Sequence, residues 1–237
     1  MRLSTKTKYM RVNDPLAKAP SSLQLRDLSV ESVNTFTYLG SEINTTADLE
    51  ATVKDRMSKA GNVFEMLHRM WTAARLPTRI KIRMYLTLVR PVALYGAETW
   101  PLLPSHEHLV DVADMRWLRI IASISLWEEN TNEEVRRRVG CPVSMSEACR
   151  QQRLRYYGHL SRMEAGRAPL TALHKAAPGP RRQGRPTTTW LDLLHADAAT
   201  RGLELADLTR LAADRDTYRQ KVVYGNRLDG RPTRSCQ

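Results

Sequence analysis

The chain has 237 residues, a formal net charge of +12 and 42% hydrophobic residues, enough apolar content to bury a core in one or two small domains. Its three cysteines, Cys141, Cys149 and Cys236, show no paired spacing, which argues against a disulfide framework; no apolar run reaches the roughly 18 residues of a membrane span. A nuclear or cytoplasmic protein with a polyphosphate partner is the expectation.

Residues 9–45 read as short strands. Tyr9-Met10-Arg11-Val12 alternates apolar and polar, Pro15 and Pro20 interrupt, and Val33 to Ile43 resumes with β-branched and aromatic residues. A small N-terminal β-hairpin is predicted there. From Thr46, a candidate cap, Leu49, Val53, Met57, Ala60, Phe64, Leu67, Trp71 and Ala74 recur at three- and four-residue steps along one helix face. Lys54, Lys59 and Arg69 lie off that stripe. Pro77 fits the first turn of a second helix, which points Ile80, Met84, Tyr85 and Leu88 inward and leaves Arg79, Lys81, Arg83 and Arg90 for solvent or a phosphate backbone. Pro91 kinks or ends it. Trp71, Tyr85 and Tyr95 are assigned to packing. Residues 51–100 carry +6, so this helix pair, 46–103, is a candidate for backbone contact, which needs only positive groups at the right pitch.

Residues 105–123 give a third helix, with Leu109, Val112, Ala113, Trp117, Ile120 and Ile124 toward the pair. Asp111 and Asp114 help to make the 101–150 block acidic, at −2, so charge reversal there is the expected neutral control. His106 and His108, two residues apart, do not share a helix face and are no chelating pair. Thr131 with Glu134, and Ser144 with Glu147, are capping-box signals. They open a short helix to Val139 and, after Gly140 and Pro142, a longer one to about Met163. The longer helix interleaves Arg150, Arg153, Arg155 and Arg162 with Leu154, Tyr156, Tyr157 and Leu160, a pattern that suits a helix lying in a groove; plain helical packing is the competing reading. Cys141, Cys149 and His159 invite a zinc site, but Cys149 and His159 lie about 15 Å apart along one helix at 1.5 Å per residue, and no metal ligand or cofactor is assigned.

Between Gly166 and Thr187 the composition turns to proline, glycine and arginine, a basic linker with Arg181, Arg182 and Arg185. Its Gly184-Arg185-Pro186, like Gly230-Arg231-Pro232 further on, matches the tripeptide that lays arginine into a narrow minor groove, although a solvated charged linker explains it as well. Trp190–Arg201 and Leu205–Val222 read as a C-terminal helical hairpin over 188–223, separate from the 104–165 extension. Residues 224–237 lack periodicity and are expected to be disordered. The fold class expected is mainly α with a small N-terminal β-hairpin.

Lys6-Thr7-Lys8, Phe36–Ser41, Leu94–Trp100, Thr131–Val135, Arg153–Leu160 and Gly184–Trp190, in that order, resemble the end of the palm, the thumb and the C-terminal extension of LINE-type (non-LTR) retrotransposon reverse transcriptases. The resemblance covers roughly residues 6–223. It implies a palm remnant over 1–45, with Lys6 and Lys8 standing where such polymerases carry a lysine near the leaving pyrophosphate and Tyr38, Leu39 and Gly40 forming a primer-grip-like hairpin. It also implies a truncated reading frame opening at Met1. These polymerases hold two metal ions on palm carboxylates, and this chain has no Asp-Asp pair. The expectation is therefore a catalytically incomplete fragment without catalytic residues, cofactor or small-molecule substrate. Its expected partners are RNA, DNA or a hybrid duplex, and a full-length reverse transcriptase. A vestigial or co-opted helical interaction module is the alternative.

Overall fold

The computed structural model describes residues 7–11, 22–25, 28–38, 40–45, 49–125, 127–174 and 188–225. The expectations for Lys6, Leu39, Arg181, Arg182, Arg185 and the two Gly-Arg-Pro tripeptides, and for the tail beyond Gly225, lie outside these residues. The fold is mainly α with a small N-terminal β region, in agreement with the sequence periodicities. Two compact units divide the chain, Met1–Ser58 and Lys59–Gln237.

In the first unit, β1 (Lys8–Tyr9) pairs parallel with β3 (Leu28–Ser32), which pairs antiparallel with β2 (Ser22–Leu25), giving the order β1-β3-β2. A separate hairpin joins β4 (Thr35–Tyr38) to β5 (Ser41–Asn44), setting Phe36 opposite Ile43 and Tyr38 opposite Ser41. The tight connection needs a left-handed residue, and Gly40 supplies it at φ 79°. The N-terminal region is thus richer in strands than one hairpin. The first turns of α1 (Leu49–Met66) bury Val53 and Met57, and Arg56 donates to the Gly40 carbonyl.

The second unit takes over the same apolar stripe. Phe64 stacks on Trp71, ring centroids 4.9 Å apart, and on Trp117 at 5.8 Å, and the indole N–H of Trp71 donates to the Phe64 carbonyl at 2.7 Å. The single long helix expected from Thr46 onward breaks at Leu67, and α2 (His68–Thr72) follows. After Pro77 comes α3 (Thr78–Met84), then a π-helical turn Tyr85–Val89 and α4 (Arg90–Ala93).

Pro91 does not end this segment, which runs on to Ala93. A proline ring collides with the carbonyl four residues back and offers no N–H; the wide turn just before it, in which the Arg90 N–H reaches back to the Tyr85 carbonyl, makes room. The face turned inward also differs from expectation. Lys81, Ile82, Tyr85, Val89, Arg90 and Ala93 are buried, whereas Ile80 and Leu88 are exposed, as is Tyr95. An apolar count at α spacing cannot anticipate the residue that a π turn inserts.

Helix α5 (Pro104–Ala122) buries Trp117 and Leu118 but exposes Val112. The N-cap half of each capping signal is met. Thr131 accepts from the Glu134 N–H at the start of α6 (Asn132–Val139), Gly140 closes that helix at φ 72°, and Ser144 accepts from the Glu147 N–H at the start of α7 (Met145–Ser161). Inside the supposed linker lies α8 (Ala168–His174).

The C-terminal helices α9 (Trp190–Ala199), α10 (Leu205–Leu211) and α11 (Arg215–Tyr218), with a π-helical turn Arg219–Val223, do not stand apart. Their Leu194, Ala198, Leu208, Ala212, Tyr218 and Val222 share one core with Leu154 and Tyr157 of α7. The expected boundary at 166–187 is therefore not where the chain divides.

Candidate nucleic-acid interface

Sequence reasoning treats cations off an apolar stripe as one class, and the structure splits them. Lys81 is buried and donates to the Trp71 carbonyl at 2.6 Å. Arg90 is buried and donates to the carbonyls of Val143 and Ser144 at 2.9 and 2.6 Å, tying α4 to the turn before α7. Arg153 is 1% exposed and bridges Asp197 of α9 at 2.7 Å and the Trp100 carbonyl at 3.0 Å. Arg150, partly buried, holds Glu107 of α5 at 2.7 Å. These four hold helices together and are withdrawn from the candidate surface.

Helix α7 is accordingly no groove-reading helix. It packs against α5, α8, α9 and α10, and Leu154, Tyr157 and Leu160 are buried among them. Of its candidate arginines, Arg155 is exposed; Arg162, just past the helix, is exposed and donates to the Ala212 carbonyl at 3.0 Å. The acidic control fails too. Asp114 is fully buried, accepting from the Tyr85 hydroxyl and from Arg136 at 2.7 Å, and Asp111 accepts from the backbone and hydroxyl of Ser146.

In the first unit, Lys8 faces Glu31 across β1 and β3 at 3.4 Å, and Lys54 pairs with Glu50 one helical turn away at 2.6 Å. Tyr38 is 58% exposed at the hairpin tip beside Gly40, and Phe36 is exposed as well. Neither aromatic is absorbed by packing on the following helix.

Other cations of the second unit are exposed on α1, α2, α3 and the turn between α2 and α3. Lys59 is exposed on α1, Arg69 on α2, Arg75 in the connecting turn, and Arg79 and Arg83 one turn apart on the outer face of α3. Between Met66 and Ala97 the chain holds six basic residues and no carboxylate. The two buried cations of this stretch, Lys81 and Arg90, are held by neutral carbonyls, so they add to the positive field here instead of cancelling it. Arg75 was missed in the sequence because it falls in the turn, outside any periodic face; the carboxylate-free stretch around it was the available signal.

Among the described residues no group of three or more His, Cys, Asp or Glu is placed to hold a metal ion. Cys141 and Cys149 are buried free thiols, and burial pushes the Cys149 thiol up to about 12. His159 is exposed, beside Tyr156. Among the described residues no helix is long and apolar enough to cross a membrane.

The fold is that of a mainly helical protein with exposed basic residues along α1 to α3. Comparisons with protein-family models, with curated proteins and with solved structures returned no match.

Proposed function

We propose that this chain binds the phosphate backbone of RNA, DNA or a hybrid duplex through the exposed basic residues Lys59, Arg69, Arg75, Arg79 and Arg83. One observation carries the reading: exposed arginines are displayed along a stretch of 32 residues that holds no carboxylate. Such a surface attracts a polyanion and has little means of reading its bases. With the resemblance of its motifs to a LINE-type reverse transcriptase, the chain is best understood as a catalytically incomplete fragment of such a polymerase, nuclear or cytoplasmic, and able to act beside a full-length enzyme. A co-opted protein-interaction module is the second reading, favoured by the exposed Ile80 and Leu88 on the same helical stretch.

Fluorescence anisotropy with a labelled RNA–DNA hybrid tests the binding. Affinity is expected to fall steeply with salt, and the variant Arg69→Glu/Arg79→Glu/Arg83→Glu to bind at least about tenfold more weakly with a salt slope about 3 lower, near one per phosphate contact. The control is Glu133→Gln, at an exposed position on α6. An unchanged slope in the triple variant removes these arginines from the interface, and wild-type protein without salt-dependent binding at micromolar concentration removes the nucleic-acid reading.

Primer extension by the purified chain with magnesium or manganese is expected to give no product. Template-dependent synthesis would overturn the reading as an incomplete polymerase.

A further inference from the structure

Six arginines of the second unit are matched with carboxylates: Arg136 with Asp114, Arg137 with Glu134, Arg150 with Glu107, Arg153 with Asp197, Arg201 with Glu147 and Arg210 with Asp207. Arg155 and Arg219 are arranged otherwise. Arg155 projects from the exposed side of α7 and Arg219 opens the final π-helical turn. The phenol oxygen of Tyr224 lies between them: the Nε–H of Arg219 donates to it at 3.2 Å, and Arg155, on the helix that packs against the Arg219–Val223 turn, is near enough for its charge to act on it. The Arg219 guanidinium also lies over the Tyr224 ring, 5.6 Å from its centroid. Among the described residues neither arginine forms an ion pair, and Asp216 acts on Arg219 only as the weakest of its influences.

This is an unusual use of two cations 64 residues apart. Like charges repel, and a phenol oxygen offsets that repulsion far less than a carboxylate does. A guanidinium carries five donors and a phenol oxygen accepts at most two hydrogen bonds, so most N–H groups of the pair are left to point elsewhere. Burial pushes the Tyr224 phenol up, but donation from Arg219 and the charges of both arginines outweigh it and hold the group below its ordinary value, the mark of a local positive field.

We infer that Arg155, Arg219 and Tyr224 form a phosphate-binding site, in which the phenol steadies Arg219 and two neighbouring guanidinium forks serve one anionic group. Guanidinium planes suit the paired oxygens of a phosphate. The ligand is a phosphodiester of a nucleic-acid backbone, because the donors left over on the two guanidinium groups match its non-bridging oxygens. That assignment of source rests on the function proposed above; the chemistry of the site does not.

The test uses the full chain and two probes, a labelled RNA–DNA hybrid and inorganic pyrophosphate. Arg155→Gln/Arg219→Gln is expected to bind the hybrid about tenfold more weakly near 0.1 M salt, with a slope about 2 lower, while Arg155→Lys/Arg219→Lys recovers most of the loss. Tyr224→Phe keeps the ring beneath Arg219 but removes the phenol oxygen, and should cost about threefold. Pyrophosphate is expected to shift the arginine Nε–H resonances of residues 155 and 219 in the wild type. An unchanged hybrid affinity and slope in the glutamine variant, if its circular dichroism is native, overturns the nucleic-acid role of the site and leaves the basic residues of α1 to α3 untouched. If the wild type binds no hybrid yet pyrophosphate shifts both arginines, the proposed function falls and the phosphate site holds. If pyrophosphate shifts neither, the site itself falls; a tyrosine-phosphorylated peptide binding in preference to the hybrid would overturn the assignment to nucleic acid.

Discussion

Asp114→Ala is expected to destabilise the second unit by about 3–5 kcal/mol, the range for removing one partner of a buried charge pair. The Asp114 side chain is fully buried, and both of its oxygens are engaged, one accepting from the Tyr85 hydroxyl and the other from Arg136 at 2.7 Å. Alanine leaves a cation without its counter-charge and a phenol without its acceptor. Tyr85 is itself fully buried, and burial first and the Asp114 charge second push its phenol well above the ordinary value. All five tryptophans lie beyond residue 58, so tryptophan fluorescence in a urea titration reports the second unit alone. Asp114→Asn, which keeps an acceptor and the volume, should cost less than alanine. A loss below about 1 kcal/mol for Asp114→Ala would mean that the three groups do not form the polar centre described.

The contrast between Asp114 and the α6–α7 caps shows what a single sequence can disclose. Thr131 and Ser144 bond to N–H groups three residues away, so the whole interaction lies inside one readable window, and both helix starts were predicted. Likewise Val53, Ala60, Phe64 and Trp71 follow a simple period and are all buried. The fate of a charged residue is decided elsewhere. Arg153 finds Asp197 44 residues away and Arg90 finds the Val143 and Ser144 carbonyls 53 and 54 residues away. Nothing local distinguishes them from Arg79 or Arg155. A rule that sends every cation to the surface must then overcount the interface, and it did so equally on α3–α4, with Lys81 and Arg90, and on α7, with Arg150 and Arg153. The basic stretch stayed legible because it depends on what is missing nearby, the carboxylates, and that is a property of the sequence.

Glycine at position 158 is explained by a ring from the C-terminal helices. On an isolated helix, alanine is favoured over glycine by about 1 kcal/mol, so helix propensity alone makes Gly158→Ala stabilising. Packing reverses the sign. A Cβ built there would stand 2.4 Å from Cε1 of Tyr218 and 2.8 Å from its Cζ, well inside contact distance. The ring cannot easily retreat, because its hydroxyl donates to the Leu154 carbonyl at 2.7 Å and its faces belong to the core that α7 shares with the C-terminal helices. Either that hydrogen bond or the docking of Arg215–Val223 on α7 must give way. Overpacking a tight core costs about 1–3 kcal/mol and occasionally more, so Gly158→Ala should show a net loss of about 2 kcal/mol in the same titration. Gly158→Ala/Tyr218→Leu, which removes the colliding ring atoms, should lose less than the sum of the two single changes, since the clash is counted in one and absent from the double. Additive losses, or a Gly158→Ala protein more stable than the wild type, would show that α7 and the Tyr218 ring are not in the contact from which the C-terminal helices take their position.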